Sequence, residues 1–178
     1  MILGTDLKAQ QAAYTALAVI AEGCAEHIRT KYLSAFVQCC VLGIRHPTAH
    51  VRNAGTVFFI NNCGIKFLKN PQILALYAVG QFSEHLQPDI NRYADDILPV
   101  LFVYLANTCQ TLASGQKVPR SIDRVFYALE TFCETMESKM EPYVPTLMDH
   151  LFAALNPSYP FHVKELALSA IGATGTCN

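Results

Sequence analysis

Tryptophan is absent, and charged side chains are scarce at 15% of 178 residues, against about 25% in typical globular chains. Thirteen Lys and Arg face fourteen Asp and Glu, a net charge of −1. No global basic field is therefore available to draw the chain to nucleic acid or to an acidic membrane surface, so neither direct nucleic-acid binding nor membrane insertion is expected. Low charge with 52% apolar residues also excludes intrinsic disorder, which requires the opposite balance. There is no CxxC pair and no N-x-[ST] acceptor, since Asn156 is followed by Pro157. A basic-then-apolar leader is missing from residues 1–11. Ile97 to Ser114, which lies within the longest uncharged run, is broken by Pro99, Asn107 and Gln110. It reads as a poor membrane span, which needs about 20 predominantly apolar residues.

What is present fits a buried core. The seven cysteines are odd in number and irregular in spacing (Cys24, Cys39, Cys40, Cys63, Cys109, Cys133 and Cys177). They read as reduced thiols packed as small hydrophobes, which implies a soluble intracellular protein.

The chain repeats itself. Segments of a first kind share a small–apolar–acidic pattern: Ala16-Leu17-Ala18-Val19-Ile20-Ala21-Glu22, Ala78-Val79-Gly80-Gln81-Phe82-Ser83-Glu84 and Ala128-Leu129-Glu130-Thr131-Phe132-Cys133-Glu134, with a fourth opening Ala170-Ile171-Gly172. Their leading alanines lie 62, 50 and 42 residues apart. Segments of a second kind alternate with them: Tyr32 to Phe36, Ile97 to Leu101 and Tyr143 to Leu147. Val125, Ala128, Leu129, Phe132 and Met136 recur at the period of one helix face. Leu101 with Leu105, and Leu147 with Leu151, repeat that spacing. Pro99 and Pro145 are expected in first turns, where a missing N–H breaks nothing. Gln87-Pro88-Asp89 and Ala113-Ser114-Gly115 read as connections. The pattern predicts an all-α fold, an α-solenoid of HEAT-type helix pairs, in which each unit covers the apolar face of its neighbour.

The domain expectation is one solenoid over residues 1–178, holding about three to four helix pairs. The first spacing exceeds the last by 20 residues, and removing residues 55–74 restores the spacing between Val51 and its anchor alanine. That stretch fits neither pattern. It reads as an insertion, such as an intron translated in frame, with a naturally lengthened loop as the alternative. Ala12, Ala13, Leu17 and Ile20 near one end, and Leu166, Ala167, Ala170 and Ile171 near the other, look like interior units, so the chain is expected to be an excerpt of a longer array.

Several strings resemble the importin-β (karyopherin-β) family of nuclear transport receptors. They are Val51-Arg52-Asn53-Ala54, the run from Ala75 to Ile90 with its Gly80-Gln81-Phe82-Ser83-Glu84, Tyr127 to Glu134, Glu141 to Met148, and Lys164 to Gly172. The resemblance covers nearly the whole chain except residues 55–74. It implies a long HEAT array that carries basic nuclear cargo proteins through nuclear pores and releases them to Ran-GTP, shuttling between cytoplasm and nucleus. An excerpt from the middle of such an array would lack the family's Ran-binding repeats. The alternative is a HEAT scaffold subunit of a stable complex.

No phosphate loop, zinc-protease, nucleophile-elbow or kinase signature occurs. Binding and not catalysis is expected, with no cofactor. Cys39, Cys40, His46 and His50 could be imagined as a metal site, but Pro47 breaks the helix that would align them, and buried thiols beside surface imidazoles are the preferred reading. The informative polar feature is a carboxylate in register, Glu22, Glu84 and Glu134, each six residues after its anchor alanine. Near a helix C-terminus the dipole opposes negative charge by about 0.3–1 kcal/mol. The recurrence therefore points either to a basic partner or to solvated acids paired locally, for example with Lys139. Tyr77 and Tyr127 offer amphipathic contact area for a peptide or inter-repeat packing. Arg52 and Lys164, at matching places, read as stacking residues.

Overall fold

The computed structural model describes residues 7–45, 71–118 and 122–175. Eight α-helices occur among them: α1 (Leu7–Gly23), α2 (Ala25–Lys31), α3 (Leu33–Ile44), α4 (Pro71–His85), α5 (Ala94–Ala113), α6 (Ile122–Met136), α7 (Val144–Ala154) and α8 (Phe161–Thr174). Two 3-10 segments, Asp89–Tyr93 and Glu137–Tyr143, lead into α5 and α7. The segments of the first kind are α1, α4, α6 and α8; those of the second kind are α3, α5 and α7. Short α2 and the two 3-10 leads are the equivalent connectors.

Packing follows that alternation. The first layer runs α1 on α4, α4 on α6 and α6 on α8, and the second runs α3 on α5 and α5 on α7. Between layers α3 meets α4, α5 meets α6 and α7 meets α8. This is an α-solenoid of helix pairs, three of them complete and preceded by α1.

Burial explains the recurring residues. The anchors Ala78, Ala128 and Ala170 are 0% exposed, whereas the first anchor, Ala16, is exposed. On α6 the expected face of Val125, Ala128, Leu129, Phe132 and Met136 is buried, and so are Phe126 and Cys133. With α4, α5 and α8 all packed on it, α6 is covered on more than one side.

The helix ends have identifiable causes. Gly115 lies at φ 78, its N–H donates to the Leu112 carbonyl, and Gln116 N–H donates to the Thr111 carbonyl. That pair of bonds is a Schellman stop for α5, and a left-handed position there favours glycine. Glu137 ends α6 in the same backbone region, at φ 49, without glycine's freedom. Pro145 stands in the first turn of α7, as expected. Pro99 does not: α5 starts earlier, at Ala94, and Pro99 is interior. Asp95 and Asp96 in the first turn favour that earlier start through the dipole. The proline is exposed, and its missing N–H takes away the intrahelical donor of the Asp95 carbonyl.

The continuous helical stretch Asp89–Ala113 is long and apolar enough to cross a membrane by length and composition, yet 56% of its apolar window is buried within the protein. Of the suspected insertion, residues 55–70 lie outside the described residues, and its last four residues form the first turn of α4. Arg52, His46 and His50 also lie outside them.

Candidate partner-binding surface

The three register acids sit in the last turns of α1, α4 and α6, neighbouring helices of one layer. Packed helices lie about 8–10 Å apart, so the acids form one edge of the array. Their environments differ. Glu22 and Glu134 are exposed, and no hydrogen bond or ion pair joins either to another described residue. Glu84 is engaged: Tyr127 on α6 donates its hydroxyl to Glu84 Oε2 at 2.5 Å, and His85 Nε2 stands 3.8 Å from the same oxygen.

Tyr127 reaches Glu84 across Gly80. A β-carbon at Gly80 would stand 3.4 Å from Tyr127 Cδ1, so the ring packs in van der Waals reach of α4 at that position. Burial first, and then the hydrogen bond to Glu84, push the Tyr127 phenol up to about 12. Tyr77 is half-buried on α4, and the Arg124 guanidinium of α6 lies 4.8 Å from its ring centroid, a contact of about 0.5–1 kcal/mol at such a site. Both tyrosines thus take part in the α4–α6 seam.

A second set of cross-links ties the connectors to the next unit. Arg29 Nη2 on α2 donates to the His85 carbonyl at 3.2 Å, and Asn91 Nδ2 donates to the Thr135 carbonyl at 3.1 Å. Arg29 and Asn91 each stand thirteen residues after their own anchor, and His85 and Thr135 each seven after theirs. The donors cap carbonyls at the C-terminal ends of α4 and α6, which have no intrahelical partner. The residue in that place in the third unit is Glu141, an acceptor only. On the second layer, Tyr143 donates to an Asp95 oxygen, which with burial pushes its phenol up to about 12. At the other end of α6, His162 Nε2 of α8 stands 2.6 Å from Asp123 Oδ1.

Sequence reasoning missed Arg124, Gly80, Arg29 and Asn91. The common offset of thirteen was available for the last two. Arg124 and Gly80 carried no signal short of knowing which helices touch.

No group of three or more His, Cys, Asp or Glu among the described residues is placed to hold a metal ion. Burial raises the Cys39, Cys40 and Cys109 thiols above their ordinary value, which leaves little thiolate for nucleophilic chemistry at neutral pH. Lys164 Nζ donates to the Pro157 carbonyl, steadying the turn that leads into α8.

A layered array of helix pairs with polar cross-links between units is the architecture of a HEAT-type α-solenoid. No family model matches the chain. It is 36% identical to Importin-4 of Homo sapiens over 178 aligned residues, which take in 80% of this chain and 15% of that protein. It is 34% identical to Importin-4 of Mus musculus over 96 residues, 54% of this chain and 7% of that protein. Among solved structures, a crystal structure of Kap121p superposes with a TM-score of 0.74 at 24% identity, covering 99% of this chain and 15% of that one. The chain therefore spans a small part of the length of its curated relatives. Over most of its own length it resembles a segment of importin-4, a receptor of the importin-β (karyopherin-β) family, and its fold is that family's solenoid.

Proposed function

We propose that this chain forms part of the cargo-binding scaffold of a nuclear import receptor that moves between cytoplasm and nucleus. The observation that carries the reading is the similarity to importin-4 across 80% of the chain, on a solenoid in which three of the four anchored units carry a register acid. The exposed carboxylates of Glu22 and Glu134 attract a basic segment of a cargo protein, while Glu84, held by Tyr127 and His85, sets the local geometry between them. A curved array offers many weak contacts over a large area, so affinity accumulates without a deep pocket. In a full-length receptor, cargo and Ran-GTP favour different curvatures, and binding one releases the other as a population shift. Nuclear pore proteins engage the same full-length receptor. The work done is binding and not catalysis, and it requires no cofactor.

A direct test titrates a fluorescent lysine- and arginine-rich peptide with a receptor containing this segment. The expected result is binding that weakens with salt, weakens about tenfold or more in the Glu22→Lys/Glu134→Lys variant, and is reversed by Ran-GTP. Unchanged affinity in the variant would remove these acids from the cargo site. Cargo that stays bound in the presence of Ran-GTP would favour a static HEAT scaffold.

A further inference from the structure

A tyrosine begins each of the three second-layer helices. Tyr32, Tyr93 and Tyr143 occupy the N-cap positions of α3, α5 and α7, sixteen, fifteen and fifteen residues after the anchors Ala16, Ala78 and Ala128. Each follows a short connector from the C-terminal end of a first-layer helix, so the tyrosines line the same edge of the array as Glu22, Glu84 and Glu134. Two of the three are engaged from within the chain. The Arg92 guanidinium carbon lies 5.3 Å from the Tyr93 ring centroid, and the Tyr143 hydroxyl donates to Asp95. Tyr32 has neither kind of partner. Its hydroxyl makes no hydrogen bond to a described residue, and Lys31, in the place of Arg92, is exposed and lies over no described ring. The Tyr32 ring is 47% exposed, yet it is firmly held. It stacks on Phe36 at 6.1 Å between centroids and 23° between planes. Phe36 stacks in the same way on Phe82, which is 1% exposed. His27 flanks Tyr32 at 5.6 Å. Tyr32 is thus the outer step of an aromatic stair fixed to the core, and a ring held this way loses little rotamer freedom when a partner covers it.

We propose that Tyr32, with His27 beside it, is a seat for an arginine side chain of the basic cargo segment, and that it makes this edge prefer arginine to lysine. The guanidinium is the chemistry that the observations select. It is planar and weakly hydrated, so it stacks on an aromatic face more readily than an ammonium does. The matching ring one unit along already carries one, from Arg92. The surrounding charge complements it: Glu22 and Glu26, ten and six residues before Tyr32, are both exposed. Glu22 has no described partner, and Glu26 has only Arg29, at 3.6 Å. Arg29 itself is committed to the His85 carbonyl, which leaves the Tyr32 ring to a cation from outside the chain. The inference rests on the cargo-scaffold reading and names the side chain that the basic partner presents.

Two fluorescent peptides of equal length and charge test it, one with arginine and the other with lysine at every basic position. Each is titrated with a receptor containing this segment. The parent should bind the arginine peptide at least about two- to fivefold more tightly, the effect of one cation–π contact at an exposed site. Tyr32→Leu should reduce that ratio by about two- to fivefold, whereas Tyr32→Phe, which keeps the ring, should preserve it. Both affinities are measured on the same protein, so a variant that is partly unfolded loses them alike and its ratio stays that of the parent. Equal affinities in the parent would overturn the seat, as would a ratio that Tyr32→Leu leaves intact; in both cases the binding itself would uphold the acidic edge. Failure of the parent to bind either peptide would overturn the seat together with the cargo reading.

Discussion

Gly43 tests how tightly the first unit is locked. A β-carbon there would stand 2.3 Å from Tyr14 Oη, 2.6 Å from Tyr14 Cζ and 2.9 Å from Ala75 Cβ. None of these groups has room to retreat. Tyr14 is 2% exposed and Ala75 0%, and the Tyr14 hydroxyl donates to the Cys39 carbonyl at 2.9 Å. Gly43→Ala therefore forces overpacking, at about 1–3 kcal/mol. If the ring swings away, a buried hydroxyl loses its acceptor, at about 1–3 kcal/mol. Alanine's better helix propensity offsets about 1 kcal/mol of this in α3. The net loss is about 1–4 kcal/mol, a fall in Tm of about 3–12 °C for a chain of this size. Thermal unfolding followed by far-UV circular dichroism reads it. A double-mutant cycle with Tyr14→Leu isolates the cause, because removing the ring should relieve most of the cost of the alanine. A Gly43→Ala variant more stable than the parent, or strict additivity with Tyr14→Leu, would refute the packing argument.

Other consequences are equally open to measurement. Asn91→Asp removes the donor that caps the α6 carbonyl at Thr135 and sets a charge against the helix dipole; it should cost about 1–3 kcal/mol in urea unfolding, whereas Asn91→Gln should cost less. Because the Tyr127 and Tyr143 phenols are raised from 10.0 to about 12 in the fold, their contribution is fully present below pH about 10 and is lost as pH rises to about 12. Tyr127→Phe and Tyr143→Phe should flatten the Tm–pH curve in that window, with ultraviolet difference spectroscopy reporting the phenolates. Glu137→Gly, at φ 49, should raise stability by up to about 1 kcal/mol by removing a left-handed side chain. Removing residues 55–74 should raise helical content and Tm if that stretch interrupts the repeat, and a natural loop would give no gain.

The layered fold was readable because each helix has to hide an apolar face, and such a face recurs along the chain at the helical period. Val125, Ala128, Leu129 and Phe132 showed α6, and the anchor alanines showed how the helices alternate. The start of α5 was harder to see: Pro99 suggested a first turn, but Asp95 and Asp96 stabilise an earlier one. The carboxylates at Glu22, Glu84 and Glu134 could be found as a register. That Glu84 is engaged could not, because its partner Tyr127 lies 43 residues away on another helix. Arg124 was invisible for the same reason: its partner Tyr77 belongs to another helix, and local periodicity holds no record of contacts between units.

The central claim is that a basic cargo segment lies along the edge formed by the C-terminal ends of α1, α4 and α6. Zero-length carbodiimide coupling of a lysine-rich cargo peptide to the receptor, followed by peptide mass spectrometry, tests it most directly. The account predicts amide cross-links at Glu22 and Glu134 and few at Glu84, all suppressed by excess unlabelled cargo. Cross-links confined to Asp95, Asp96 and Glu141 on the other layer would contradict it.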